Sequence, residues 1–84
     1  MARSKYIYVV VAVGSYLPVT VFTVKYECLK WVAQSAWDLD HINMYRYPDG
    51  APYMSHHVDM VHMPWDREEM EELRAEHRAL RSLN

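Results

Sequence analysis

The chain of 84 residues has one cysteine, two glycines and a single phenylalanine. One cysteine cannot build a disulfide framework, which fits a reducing, cytoplasmic setting. The two glycines, Gly14 and Gly50, stand in turn contexts, so no glycine-rich loop is present to cradle a phosphate. No apolar run approaches the roughly 20 residues of a membrane span. Positive charge is not in excess either. Nine Lys and Arg stand against eleven Asp and Glu, for a formal net charge of -2. That argues against non-specific binding to a phosphate backbone, which requires a basic surface. No paired-histidine helix motif and no C-x-x-C accompany the histidines. Ser15, Ser35 and Ser55 lack a nucleophile elbow, and nothing sets Asp38, Asp40 and Asp59 against a pocket as an acid-base pair. These absences lead to the expectation of a protein that is not an enzyme and carries no cofactor.

What the chain does have is apolar and aromatic material. Hydrophobic residues make up 51%, with seven Tyr, three Trp and six Met. A chain this short buries only about 60–65% of its unfolded surface, so it needs either an efficient core or an associating partner. Residues 6–13 form a β-rich run, with Ile7, Val9, Val11 and Val13 on one face and Tyr6, Tyr8, Val10 and Ala12 on the other. Both faces are apolar, as in a central strand. Arg3 and Lys5 precede this run in the order of a signal peptide, but its β-branched composition and the break at residues 14–18 favour a strand. Residues 14–18 read as a hairpin loop leading into a short second strand over 19–23.

A helix is predicted over 24–37, capped by Thr23, with Val24, Cys28, Leu29, Trp31, Val32, Ser35 and Ala36 facing inward. A third strand follows over 41–47, in which Ile42, Met44 and Arg46 alternate with Asn43, Tyr45 and Tyr47. Pro48-Asp49-Gly50 is a turn signal before a fourth strand over 53–63. Asp66 opens a second helix over 66–83, with Glu69 as its capping-box partner and Trp65 as a staple on Met70. Acids crowd its first turns and arginines its last, complementing the helix dipole. Its apolar seam is Met70, Leu73, His77 and Leu80.

The fold expected is α+β: strand-strand-helix twice over, giving a four-stranded, mainly antiparallel sheet with two helices on one face. It occupies a single domain over 1–84, with 1–4 frayed, a first unit over 5–37 and a second over 38–84. The expected core joins Trp31, Val32, Leu29, Val9, Val11 and Phe22, with Trp37 also inside.

Four of the five histidines lie between His41 and His62, near Asp59. Residues two apart on a strand can chelate, so His57 with Asp59, or His56 with His62, is a conceivable metal pair. Structural or interface histidines are the expectation, and no bound metal.

The surplus of Tyr and Met beyond one small core points to a covered surface, because both residue types are enriched at interface centres. Two groups of candidate partner-binding residues follow. One is Tyr45, Tyr47, Tyr53 and Met63; the other is the seam of Met70, Leu73, His77 and Leu80. The surface is expected to meet a protein partner or a second copy, through a strand edge, the second sheet face or the second helix. The alternative from another class is a small nucleic-acid-binding protein that stacks bases on exposed sheet tyrosines, including Tyr6 and Tyr8.

The segment from Val19 to Trp31, following the strand from Ile7 to Val13, resembles the hairpin-then-helix opening of small bacteriophage accessory proteins. Phe22-Thr23 at the strand end and Trp31 on the helix carry the likeness, over about a third of the chain. The resemblance implies a virus-encoded modulator or inhibitor that acts in a bacterial cytoplasm by binding a host or defence protein. It assigns a functional role to no individual residue.

Overall fold

The computed structural model describes residues 6–15, 17–48 and 60–82. Strands β1 (Tyr6–Ala12) and β2 (Pro18–Phe22) lead into helix α1 (Lys25–Gln34). A short 3-10 turn (Leu39–His41) precedes β3 (Ile42–Pro48); β4 (Val61–Met63) and helix α2 (Arg67–Ser82) follow. The strands form one antiparallel sheet in the order β2-β1-β3-β4. The class is α+β with the expected element order. Because β1 is antiparallel to both neighbours, β2 and β3 run parallel, and α1 is the crossover between them.

The central position of β1 follows from its composition. Val9 and Val10 are both 0% exposed although they point to opposite faces. Only a strand hydrogen-bonded on both edges and covered on both faces buries consecutive side chains. The turn after it is set by Gly14, whose φ of 83° supplies the positive value a type II turn requires at its third residue. The Ser15 amide closes that turn on the Ala12 carbonyl at 3.0 Å. Pro18 begins β2, where a missing amide donor is tolerated.

A bulge then shifts the β1–β2 register, which passes from Val10–Thr20 to Val11–Pro18. The bulge explains a parity violation. Val19 and Phe22 are three residues apart, yet both pack on the helix side of the sheet. In a regular strand they would face opposite ways.

Two apolar clusters result. On the helix side, Val10, Ile42 and Met44 of the sheet meet Cys28, Leu29, Val32 and Ala33 of α1, Leu39, and Met70 of α2. On the other face, Val9, Val11 and Tyr47 form a smaller cluster with Ile7, Tyr45 and Met60 against it. This corrects the expected core: Val9 and Val11 do not pack with Trp31, Leu29, Val32 and Phe22. The helix layer lies on the Tyr8–Val10 side of β1 instead.

Helix α1 is shorter than its periodicity predicts. The Ser35 hydroxyl donates to the Val32 carbonyl at 2.7 Å and accepts from the Trp37 amide at 3.2 Å. A side chain that bonds its own backbone this way competes with the next helical turn. Trp37 is therefore carried out of the helix and is 37% exposed rather than in the core. Thr23 does not cap the helix either. Val24 stands at the cap position, without a side-chain hydrogen bond, and its own side chain is exposed.

The start of α2 does match expectation. The Asp66 carboxylate accepts from the Glu69 amide at 3.1 Å. Trp65 packs on the same cluster as Met70, and its indole N–H donates to the Ile42 carbonyl at 2.9 Å. That bond fixes the entry of α2 against the first residue of β3.

Only Val61–Met63 of the expected fourth strand appears as β4; residues 53–59 lie outside the described residues. Among the described residues both edges of the sheet are short or blunted. β2 opens with Pro18 and a bulge, and β4 has three residues with Pro64 directly after it. Such devices discourage strand-to-strand association.

The two-cluster core makes a testable distinction. Ile42 is fully buried, whereas Trp31 only flanks the helix-side cluster. Ile42→Ala is expected to cost about 2–5 kcal/mol. For a domain of this size that lowers Tm by more than about 8 °C. Trp31→Ala should cost less than Ile42→Ala. Thermal unfolding followed by circular dichroism checks both, and a larger loss for Trp31→Ala would contradict the packing.

Candidate functional site

The proposed partner-binding residues do not form one surface. Tyr45 and Tyr47 lie on the sheet face away from the helices. Met63 pairs with Met44 and packs on the helix side. Tyr53 lies outside the described residues. Tyr47 is 3% exposed, and its hydroxyl donates to the Met60 sulfur at 2.9 Å. Met70 is 1% exposed. Neither is available to a partner without unfolding part of the core. Tyr45 is half-buried, its ring tilted against His62 with centroids 5.4 Å apart.

The tyrosines expected to stack bases are divided as well. Tyr8 packs with the helix-side cluster, while Tyr45 and Tyr47 are opposite. Tyr6 stacks with Arg46 at 4.2 Å, and Arg46 pairs with Tyr8 in register, so this cation belongs to the helix side. Among the described residues the other face carries no Lys or Arg. Base stacking without cations along the backbone path is a poor design for a single strand.

His56, His57 and Asp59 lie outside the described residues. Among the described residues no three His, Cys, Asp or Glu side chains converge as metal ligands. Cys28 is buried, with its Sγ 3.7 Å from the Met44 sulfur. Loss of solvation raises its thiol to about 11, so it stays protonated and unreactive at neutral pH.

Surface clefts among the described residues include three that border the helices. One is lined by Trp31, Trp37, Asp38 and His41 among others. The loop that shapes it is well tied. Asp38 accepts from the Asp40 amide, Asp40 pairs with Arg67, and Arg74 donates to the Trp37 carbonyl. The adjoining cleft joins Asp38 and Glu71 to Arg67 and Arg74. Arg74 Nε is buried there without a partner. Two carboxylates face two guanidinium groups, so the cleft favours neither anions nor cations.

The third cleft runs between the helices. Tyr26, Lys30, Ala33 and Gln34 of α1 line one wall; Leu73, Glu76, His77 and Leu80 of α2 line the other. Its origin is the placement of α2. Met70 anchors the first turns of the helix in the core, and Leu73 packs beside it. Further along, the seam leaves the core, so His77 is half-buried and Leu80 is 58% exposed. Across the cleft, Tyr26 is 51% exposed. Its cavity volume of about 60 Å³ is far below the roughly 300–1,000 Å³ of a small-molecule pocket. A groove with exposed apolar walls and little enclosed volume suits a side chain or helix laid along it.

Of the seam read from sequence, Leu73, His77 and Leu80 meet in this groove. Its α1 wall was missed. Tyr26, Lys30 and Ala33 recur at helical spacing of four and three. That pattern is legible in the sequence, but Lys30 and Gln34 mark the flank as a solvated face.

The burial of Cys28 predicts slow chemistry. Its reaction with a disulfide reagent at pH 8 should follow global unfolding and become rapid only in denaturant. Fast labelling of the native protein would place the thiol outside the core.

No helix among the described residues is long and apolar enough to cross a membrane. Comparisons with family models, with curated proteins and with solved structures yield no match for this chain.

Proposed function

We propose that this protein is a non-catalytic protein-binding module whose contact surface is the groove between α1 and α2. The observation that carries this reading is the pair of large apolar side chains, Tyr26 and Leu80, left exposed on opposite walls of a cleft with a half-buried apolar floor. Burying such anchors is the usual source of interface affinity.

The other surfaces considered from sequence are less suited. The sheet face opposite the helices already buries Val9, Val11 and Tyr47. Among the described residues the sheet edges are interrupted by Pro18 and the β2 bulge on one side and are three residues long on the other. The groove needs no such rearrangement. The resemblance to bacteriophage accessory proteins adds a setting to this reading, in which a host or defence protein is the partner and its activity is modulated.

The test is capture of a defined partner from the source cell by the immobilised protein, compared with its Leu80→Asp variant. Leu80 is exposed, so this substitution should leave the fold intact, as an unchanged Tm would report. The reading predicts a partner retained by the parent and lost, by at least tenfold, with Leu80→Asp. Equal capture by both proteins would contradict it. Capture of nucleic acid in a salt-sensitive manner would favour the alternative class.

A further inference from the structure

We infer that the α1–α2 groove receives a basic amphipathic helix, an inference that rests on the groove being the contact surface. The argument is one of charge and spacing. Along α2, Glu69, Leu73, Glu76 and Leu80 recur at intervals of four, three and four and so share one flank. That flank alternates acid and leucine. Among the described residues no cation pairs with Glu69 or Glu76, whereas Arg78 is taken by Glu71 and Arg67 by Asp40. The cation on the facing wall, Lys30, is also occupied. It lies 3.0 Å from Glu27 and 5.0 Å from the centre of the Tyr26 ring. The groove thus has an apolar floor, the carboxylate of Glu76 on its α2 wall with Glu69 farther along the same helix flank, and a lining lysine, Lys30, already engaged.

The spacing fits a helix. Leu73 and Leu80 are seven residues apart, or about 10 Å at the α-helical rise. A visiting helix with apolar residues at i, i+3 or i+4, and i+7 spans the same distance and can set one anchor beside each leucine. Lys or Arg next to those anchors would meet Glu69 and Glu76 at the rim, where partial desolvation strengthens the attraction. A second copy of this chain fits less well. Two α2 flanks brought together leucine to leucine would align Glu69 and Glu76 of each along one seam, and like charges at that range repel. Three of the four arginines of α2 that could offset this, Arg78, Arg67 and Arg74, are held by Glu71, Asp40 and the Trp37 carbonyl, which leaves Arg81 at the far end of the helix.

The experiment uses two fluorescently labelled synthetic peptides of 14 residues. Each has leucines at i, i+4, i+7 and i+11. In one the remaining positions are lysine and alanine; in the other they are glutamate and alanine. Fluorescence anisotropy against the whole protein is expected to give at least tenfold tighter binding of the basic peptide. The doubly substituted Glu69→Lys, Glu76→Lys protein should reverse that order, with a small fall in Tm from the loss of a first-turn acid and the circular dichroism of the folded state retained. Leu80→Asp should weaken the basic peptide at least tenfold in the parent charge background, which separates seating in the groove from a diffuse attraction. Equal affinity for both peptides, or a preference untouched by the charge reversal, would overturn the inference. If partner capture remains sensitive to Leu80→Asp while the basic peptide shows no advantage, the groove is a contact surface for another chemistry and only this inference fails. If both are insensitive to Leu80→Asp, the groove reading falls with it. A shift of the parent to dimer in light scattering that Leu80→Asp abolishes would assign the groove to a second copy and likewise overturn the inference.

Discussion

Everything in this structure depends on burying β1 from both sides. A central strand with Val9 and Val10 both fully inaccessible requires cover on each face. The helices cover one. On the other, among the described residues, Val11, Ile7, Tyr45, Tyr47 and Met60 pack against Val9. In a chain of 84 residues this doubles the use made of one strand. The domain gains two apolar clusters from a single sheet where a half-buried sheet would yield one. The surplus of Tyr and Met that suggested an external partner on the sheet is partly explained by this second cluster. Tyr47 and Met60 satisfy each other.

The same economy leaves α2 only partly used. One helix layer over a four-stranded sheet has room for α1 along its length and for the first turns of α2. Met70 and the Trp65 bond to Ile42 hold that end. Beyond Leu73 the seam no longer joins the helix-side cluster. Leu80 stays outside although it lies on the same periodic stripe as Leu73. A groove edged by Leu80, Glu76 and Tyr26 is the geometric remainder of fitting two helices of unequal length, 10 and 16 residues, onto one small sheet.

Element order and type were legible because each rests on a local rule. A β-branched and aromatic run marks β1, alternation of apolar and polar or aromatic residues marks β3, the Asp66 cap and Trp65 staple mark α2, and Gly14 and Pro18 mark the first hairpin. What could not be read depended on competition between parts. Both faces of β1 are apolar, so alternation alone could not say whether Val9 or Val10 met the helices. The β2 bulge, which brings Val19 and Phe22 to one side, has no composition signature beyond the neighbouring Pro18. Trp37 was read as a core aromatic at the end of a helix expected to run to residue 37. The Ser35 side chain ends the helix first, and only hydrogen-bond geometry reveals that. Of the candidate site, Leu73, His77 and Leu80 were legible as a seam. Met70 belongs to the core, because the seam enters the core at one end and leaves it at the other.

The central claim is that stability is concentrated in β1 and its partner β3, while the last turns of α2 are held only lightly. Native-state hydrogen exchange followed residue by residue by NMR tests it directly. The amides of Val9, Val10 and Met44 should exchange only through global unfolding, with the free energy that denaturant melts report. Amides from Arg78 to Ser82 should exchange through local opening, at least a hundredfold faster. Protection of residues 78–82 equal to that of β1 would contradict the account. It would mean that the end of α2 is packed into the core and that the groove is not open.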